Sequence, residues 1–321
     1  MPDPNSNPSP WPSEQPHQPT SLPADQTAVP KSEEEKPSRS RSSHWLRFLI
    51  LLLIMGSAIA LLQTTPTSRA QWYWAASLTA LEAGDLETAV AQAEAALQIA
   101  PDDAAQWNRY AELLFRLDRE EEAREQVLKS MELAPDNLQL VSRNTFLLGR
   151  MKQHEQALKW LDHIVEQSLA GGNIHRHQAR NQRAYGIALA YADGDATPED
   201  LQRGLNDINL AMEEYGEEPA YLDTRGYLYL LSDQLEQAEE DLTRAISPYE
   251  KRHAQLLAEL ASQKGSAQVT AQANKTALES VLAVMYHHRA ELYRRQGKEE
   301  LAQQDQQRAI KFGLSRKLGN W

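Results

Sequence analysis

Two histidines stand closest to metal or proton chemistry in this chain: His175 and His177, in the run NIHRHQ, just after Gly171 and Gly172. Neutral imidazole nitrogens bind zinc and carry protons near neutral pH. Residues two apart diverge on a helix, whereas in an extended loop the two rings could share an ion. No third ligand stands nearby, so no metal is expected. His287 and His288 are adjacent, and adjacent helical residues do not face one site.

Other reactive groups are missing from the sequence. There is no cysteine, which excludes disulfides, thiolate metal sites, a cysteine nucleophile and a lipidated N-terminal cysteine. No glycine-rich phosphate loop, His-Glu-x-x-His pair or nucleophile elbow occurs. No enzyme and no cofactor is expected. A second reading stays open, a metal-dependent regulator or enzyme subunit using His175 and His177. The formal charge of −12 argues against a nucleic-acid partner, which would call for an excess of cations.

Three zones carry these residues. The first, 1–43, holds ten of the sixteen prolines among Ser, Gln, Asn and Glu. It cannot bury enough apolar surface to offset chain entropy and is predicted to be disordered. The second, 44–63, reads HWLRFLILLLIMGSAIALLQ. Its charge-free stretch from Phe48 to Leu62 would rise about 22 Å as a helix, against a hydrocarbon core of about 30 Å. Trp45 at the interface and a snorkelling Arg47 bring it to the lower limit of a span. Its Leu, Ile and Phe residues favour the bilayer by about 3 to 6 kcal/mol on the insertion scale. The segment is therefore predicted to be a single transmembrane helix, a signal anchor.

Lys31, Lys36, Arg39, Arg41 and Arg47 precede this segment, and Arg69 is the first cation after it. That imbalance predicts a cytoplasmic N-terminus and a third zone beyond the membrane, periplasmic if the host is bacterial. Ala58-Ile59-Ala60 has the small-x-small form of a signal-peptidase site, so cleavage after Ala60, releasing a soluble adaptor, is the alternative.

The third zone, 64–316, has an internal period. Ala100-Pro101-Asp102 returns as Ala134-Pro135-Asp136, 34 residues on. Ala89, Ala123 and Ala157 keep the same step, as do Gly204 and Ala238, and Ala211 and Ala245. Apolar residues between these marks recur at three and four, and runs such as EAGDLE punctuate them, so each unit is a helical hairpin. Asp102 and Asp136 are placed to cap the helices that follow. Insertions are expected near 193–200 and 247–282, the second as added or lengthened helix. Residues 317–321 form a short tail.

The pattern resembles the tetratricopeptide repeat, which has a large residue at position 4, small residues at 8, 20 and 27, and proline at 32. Trp107, Ala111, Ala123 and Pro135 fill positions 4, 8, 20 and 32 of one unit, and Tyr73, Ala89, Ala96 and Pro101 fill 4, 20, 27 and 32 of the unit before it. Gly226, Tyr229, Ala238 and Ala245 match a later unit; Tyr286, Ala290, Tyr293, Gly297, Ala302 and Ala309 match the last. The resemblance implies an all-α solenoid of about six hairpins, two of them degenerate.

It also implies a binding surface. In similar proteins the first helix of each hairpin forms a concave wall that holds a peptide. The corresponding positions are Asn108, Arg109, Glu112, Phe115 and Arg116, then Gln139, Arg143, Phe146 and Arg150, then Arg180 and Arg183. So many arginines on one face predict protein or peptide partners, acidic ones in particular, held by guanidinium forks. The competing reading pairs these arginines with neighbouring carboxylates as salt bridges. The function expected is that of a membrane-anchored interaction scaffold in envelope protein assembly.

Overall fold

The computed structural model describes the backbone of residues 42–262 and 264–314, and their side chains except at 42–44 and 58–64. Most of the expected N-terminal tail and the C-terminal tail lie outside the described residues. The chain divides into two compact units, Met1–Ser57 and Ala58–Trp321. Among the described residues there are thirteen α-helices and no strand.

Helix α1 (Ser42–Thr64) contains the expected span. From Trp45 to Met55 its large apolar side chains are all exposed. Among the described residues no helix is long and apolar enough to cross a membrane. The side chains at 58–63 that would complete the span, the Ala60 cleavage position among them, lie outside the description.

In the second unit twelve helices follow, and they pair in chain order into six hairpins. These are α2 (Pro66–Glu82) with α3 (Leu86–Ile99), α4 (Ala104–Arg116) with α5 (Glu120–Leu133), and α6 (Leu138–Arg150) with α7 (His154–Leu169). Then come α8 (Arg176–Ala192) with α9 (Pro198–Tyr215), α10 (Pro219–Leu231) with α11 (Leu235–Ser262), and α12 (Ser266–Arg295) with α13 (Glu299–Lys311).

One turn closes all six hairpins. A left-handed residue follows each first helix: Gly84, Asp118, Lys152, Gly194, Asp233 and Gly297. Paired backbone bonds tie it back, as at Asp85 N to Ala80 O (2.9 Å) with Gly84 N to Leu81 O (3.1 Å), and at Lys298 N to Tyr293 O (2.8 Å) with Gly297 N to Arg294 O (3.0 Å). This is the Schellman arrangement, which satisfies the last carbonyls of a helix. Three of the six positions carry a side chain despite the steric cost of that backbone region.

Helices α3 and α5 run into Ala-Pro-Asp, and the helix after each is capped one residue later than the sequence predicts. Asp103 and Asn137 accept from Ala105 N (3.0 Å) and Leu140 N (3.2 Å), in place of Asp102 and Asp136. The proline turn takes one more residue before the chain enters the helix.

Small residues lie where the two helices of a hairpin cross. Ala89, Ala123, Ala238 and Ala302 have no exposed surface. At Gly226 an added Cβ would stand 2.8 Å from Leu242 Cγ and 3.2 Å from Asp241 Cβ. Such contacts let helix axes approach to about 8 to 10 Å. The apolar interior forms two clusters that meet at α8: Ala179 belongs to the first, Ala184 and Ala188 to the second.

Each cluster has its own polar tie. In the first, the Asn108 amide donates to Asn144 Oδ1 (2.8 Å), the Asn144 amide to Ser130 Oγ (2.9 Å), and that hydroxyl to Ala104 O (2.7 Å). In the second, an arginine on the first helix of each hairpin forks onto a buried aspartate of the second: Arg183 to Asp207, Arg225 to Asp241 and Arg289 to Asp305.

The two insertions keep this plan. At 193–200 the chain turns and starts α9 with a capping box, Asp200 N to Thr197 Oγ1 (3.2 Å) and Thr197 N to Asp200 Oδ2 (3.0 Å). The segment 247–282 lengthens α11 past Pro248 and extends the front of α12, giving helices of about 42 and 45 Å. The added turns pair with each other, burying Leu256 and Ala271 and joining His253 Nε2 to Glu279 at 2.9 Å.

Candidate binding face

The first helices α4, α6 and α8 carry the predicted groove residues, and the structure sorts these into two groups. A helix that packs by one face buries positions spaced at three and four. On α4 the stripe Ala104, Asn108, Ala111 and Phe115 is turned inward. Asn108 is 4% exposed and its amide is spent on Asn144, so it joins repeats and is not offered to a ligand. Phe115 is likewise buried, with the Arg150 guanidinium 4.5 Å above its ring.

On α8 the arginines are committed to neighbours. Arg183 takes Asp207 through Nε (2.7 Å) and Nη2 (2.8 Å), and Asp162 through Nη1 (3.0 Å). Arg180 meets Glu214 at 3.0 Å. At both positions the salt-bridge reading describes what is found. Arg183 lies four residues from Ala179 and four from Ile187, both fully buried, and a charge on that stripe needs a buried partner.

The remaining residues form one surface. Arg109, Glu112 and Arg116 on α4, and Gln139, Arg143 and Phe146 on α6, are exposed. Among the described residues Arg109, Arg116 and Arg143 enter no ion pair. Phe146 is 53% exposed. Arg150 is half-buried, and burial draws its guanidinium below the ordinary arginine value, with Glu112 opposing and Arg116 adding to the shift.

Beside them a cavity of about 470 Å³ opens between α6 and α8, over α7. Phe146, Leu147, Leu161 and Leu189 supply its apolar wall; Glu112, Arg143, Arg150, Gln182 and Tyr185 supply polar groups. Gly149 and Gly186 also line it, one on each flanking helix. Sequence reasoning missed Gln182, Tyr185 and the two glycines. Glycine inside a helix costs about 1 kcal/mol relative to alanine, and that local oddity was the available signal.

The histidines form a stack. His177 is 7% exposed, lies 4.1 Å from the Tyr215 ring at 9° and 5.4 Å from the His175 ring at 14°, and shares a hydrogen bond between its Nδ1 and the Tyr221 hydroxyl (2.6 Å). Burial lowers the His177 pKa, the neighbouring His175 adds to this, and Glu214 and Glu218 oppose it. Burial raises the Tyr221 phenol to about 12. One His177 nitrogen is thereby engaged. Among the described residues no group of three or more His, Asp or Glu could hold a metal ion.

A sequence model of the tetratricopeptide repeat matches residues 107–137 and 283–312, the α4–α5 hairpin and the last one. These two hairpins are similar to tetratricopeptide repeats. PilW, a widely conserved type IV pilus biogenesis factor, aligns over 78% of this chain and 96% of its own, at 15% identity and a TM-score of 0.48. MamA from Desulfovibrio magneticus RS-1 aligns over 56% and 93%, at 24% identity and 0.42. YrrB, a repeat protein with an unusual peptide-binding site, aligns over 55% and 84%, at 21% identity and 0.39. No curated protein matches the sequence.

Proposed function

We propose that this chain is a membrane-anchored scaffold that holds acidic segments of partner proteins on the α4–α6 face and so assembles them beyond the membrane. The observation that carries the binding part is the set of exposed, unpaired arginines, Arg109, Arg116 and Arg143, beside exposed Phe146. Guanidinium groups without a carboxylate in their own chain suit planar anions, and a peptide carboxylate is the commonest such anion on a protein partner. Recognition is the mechanism, without bond chemistry.

The anchor is supported by α1, whose exposed apolar residues from Trp45 to Met55 have the character of a lipid-facing surface. The cations preceding it favour a cytoplasmic N-terminus. Retention in membranes after alkaline carbonate washing, with an intact N-terminal mass, is the expected result. A soluble mature chain beginning after Ala60 would replace the anchor by a cleaved leader. For the binding face, Arg109→Glu with Arg143→Glu should abolish partner capture while leaving the helical signal unchanged; undiminished capture would overturn it.

A further inference from the structure

The cavity beside the arginines has features that an open wall of helices lacks. Gly149 and Gly186 face it from α6 and α8. A Cβ at Gly149 would meet only Leu189 Cδ1, at 4.0 Å, so the missing side chain leaves room that no neighbour fills. Its volume of about 470 Å³ falls within the range of about 300 to 1,000 Å³ typical of ligand sites. Gln182 and Tyr185 on α8 line it opposite Arg150 on α6. Arg143 stands exposed at the same site, in no ion pair.

We infer that this cavity is an anchor pocket for one large apolar side chain, Leu or Phe, of a partner peptide. A carboxylate next to that residue rests on Arg143. The occupant is a peptide because the cationic row continues past the cavity: Arg109 and Arg116 lie seven residues apart on α4, about 10 Å along the helix. A small acid confined to the cavity leaves them idle, whereas an extended acidic segment meets them in sequence. This inference rests on the arginine-face reading above and adds a requirement for an apolar residue.

Binding of fluorescein-labelled decapeptides to the full chain in nanodiscs, followed by anisotropy, tests it. The probes share an Asp/Ser background and differ at one central position, Phe, Leu or Ala. The Phe and Leu probes should bind at least tenfold more tightly than the Ala probe. Gly149→Leu should erase that preference, and Gly149→Ala should keep it, with melting curves certifying both folds; Gly149→Met serves as a second plug. Equal affinity for all three probes, or an unchanged preference in both plugged variants, overturns the pocket. If probes bind without preference yet lose binding in Arg109→Glu/Arg143→Glu, the arginine face stands and the pocket falls. If the preference survives that double variant, the arginine reading falls and the pocket stands. Displacement of the Phe probe by phenylacetate at equal concentration would mark a small-acid site and overturn the peptide assignment.

Discussion

Arg225 on α10 grips Asp241 on α11 with two hydrogen bonds, Nε to Oδ2 at 2.6 Å and Nη2 to Oδ1 at 2.9 Å, and the aspartate side chain is only 4% exposed. The same fork joins Arg289 to Asp305, sixteen residues on in both hairpins, and Arg183 to Asp207 across the longer α8–α9 turn. Removing one partner of a buried pair leaves an uncompensated charge. Arg225→Ala should therefore cost about 3 kcal/mol in urea unfolding. Arg225→Met with Asp241→Leu should recover most of that loss, because neither charge is then buried. A loss in the double variant as large as in the single one would contradict this role.

Gly226 sits beside that fork, with Leu242 Cγ in the space a side chain would need. Gly226→Val should lower stability by about 2 kcal/mol, since overpacking a close helix crossing forces backbone shifts. Thermal unfolding followed by circular dichroism reads this directly; an unchanged midpoint would mean that the crossing has slack.

Asp233 closes the fifth hairpin at φ 61°, and its ion pair with Arg295, at 3.6 Å, is exposed on both sides. Exposed pairs of this kind contribute little. Asp233→Gly should therefore stabilise the chain, by up to about 1 kcal/mol, through relief at a left-handed position. A drop in the urea midpoint would show that the aspartate does more than occupy the turn.

The buried His177 sets a pH dependence. Its folded pKa lies below the ordinary 6.5, through burial first and His175 second. Burial, with His288 next, lowers His287 as well. Between 6.5 and the folded values the unfolded chain takes up protons that the folded chain refuses, so stability falls as pH falls through that window. The urea midpoint should drop between pH 7.5 and 5.5. His177→Gln keeps an amide that can hydrogen-bond Tyr221 but does not titrate, and should flatten that drop; a slope equal to the wild type would assign the effect elsewhere.

The repeats were legible because their signals are local. A 34-residue step in Ala89, Ala123 and Ala157 marks helix crossings whatever the partners are, and six hairpins follow from it. The binding face was legible only in part. Asn108 shares a stripe with Ala104 and Ala111, and Arg183 with Ala179 and Ile187, so spacing within each helix already argued for burial. Their partners, Asn144 and Asp207, lie 36 and 24 residues away, and which of them meets an inward polar group depends on the register between helices. The cavity needs Gly149 on α6 and Gly186 on α8 brought to one site across the whole of α7, which no single-helix pattern encodes.

The central claim is that acidic partner segments dock on the α4–α6 face. A photo-crosslinking amino acid placed at Phe146 of the full-length protein in intact cells tests it most directly, with the same group at exposed Gln303 on α13 as control. Discrete protein adducts should form at position 146, be absent at 303, and fall at least tenfold when Arg109→Glu and Arg143→Glu are added. Adducts of equal yield at both positions, or at 146 regardless of the arginines, would contradict it.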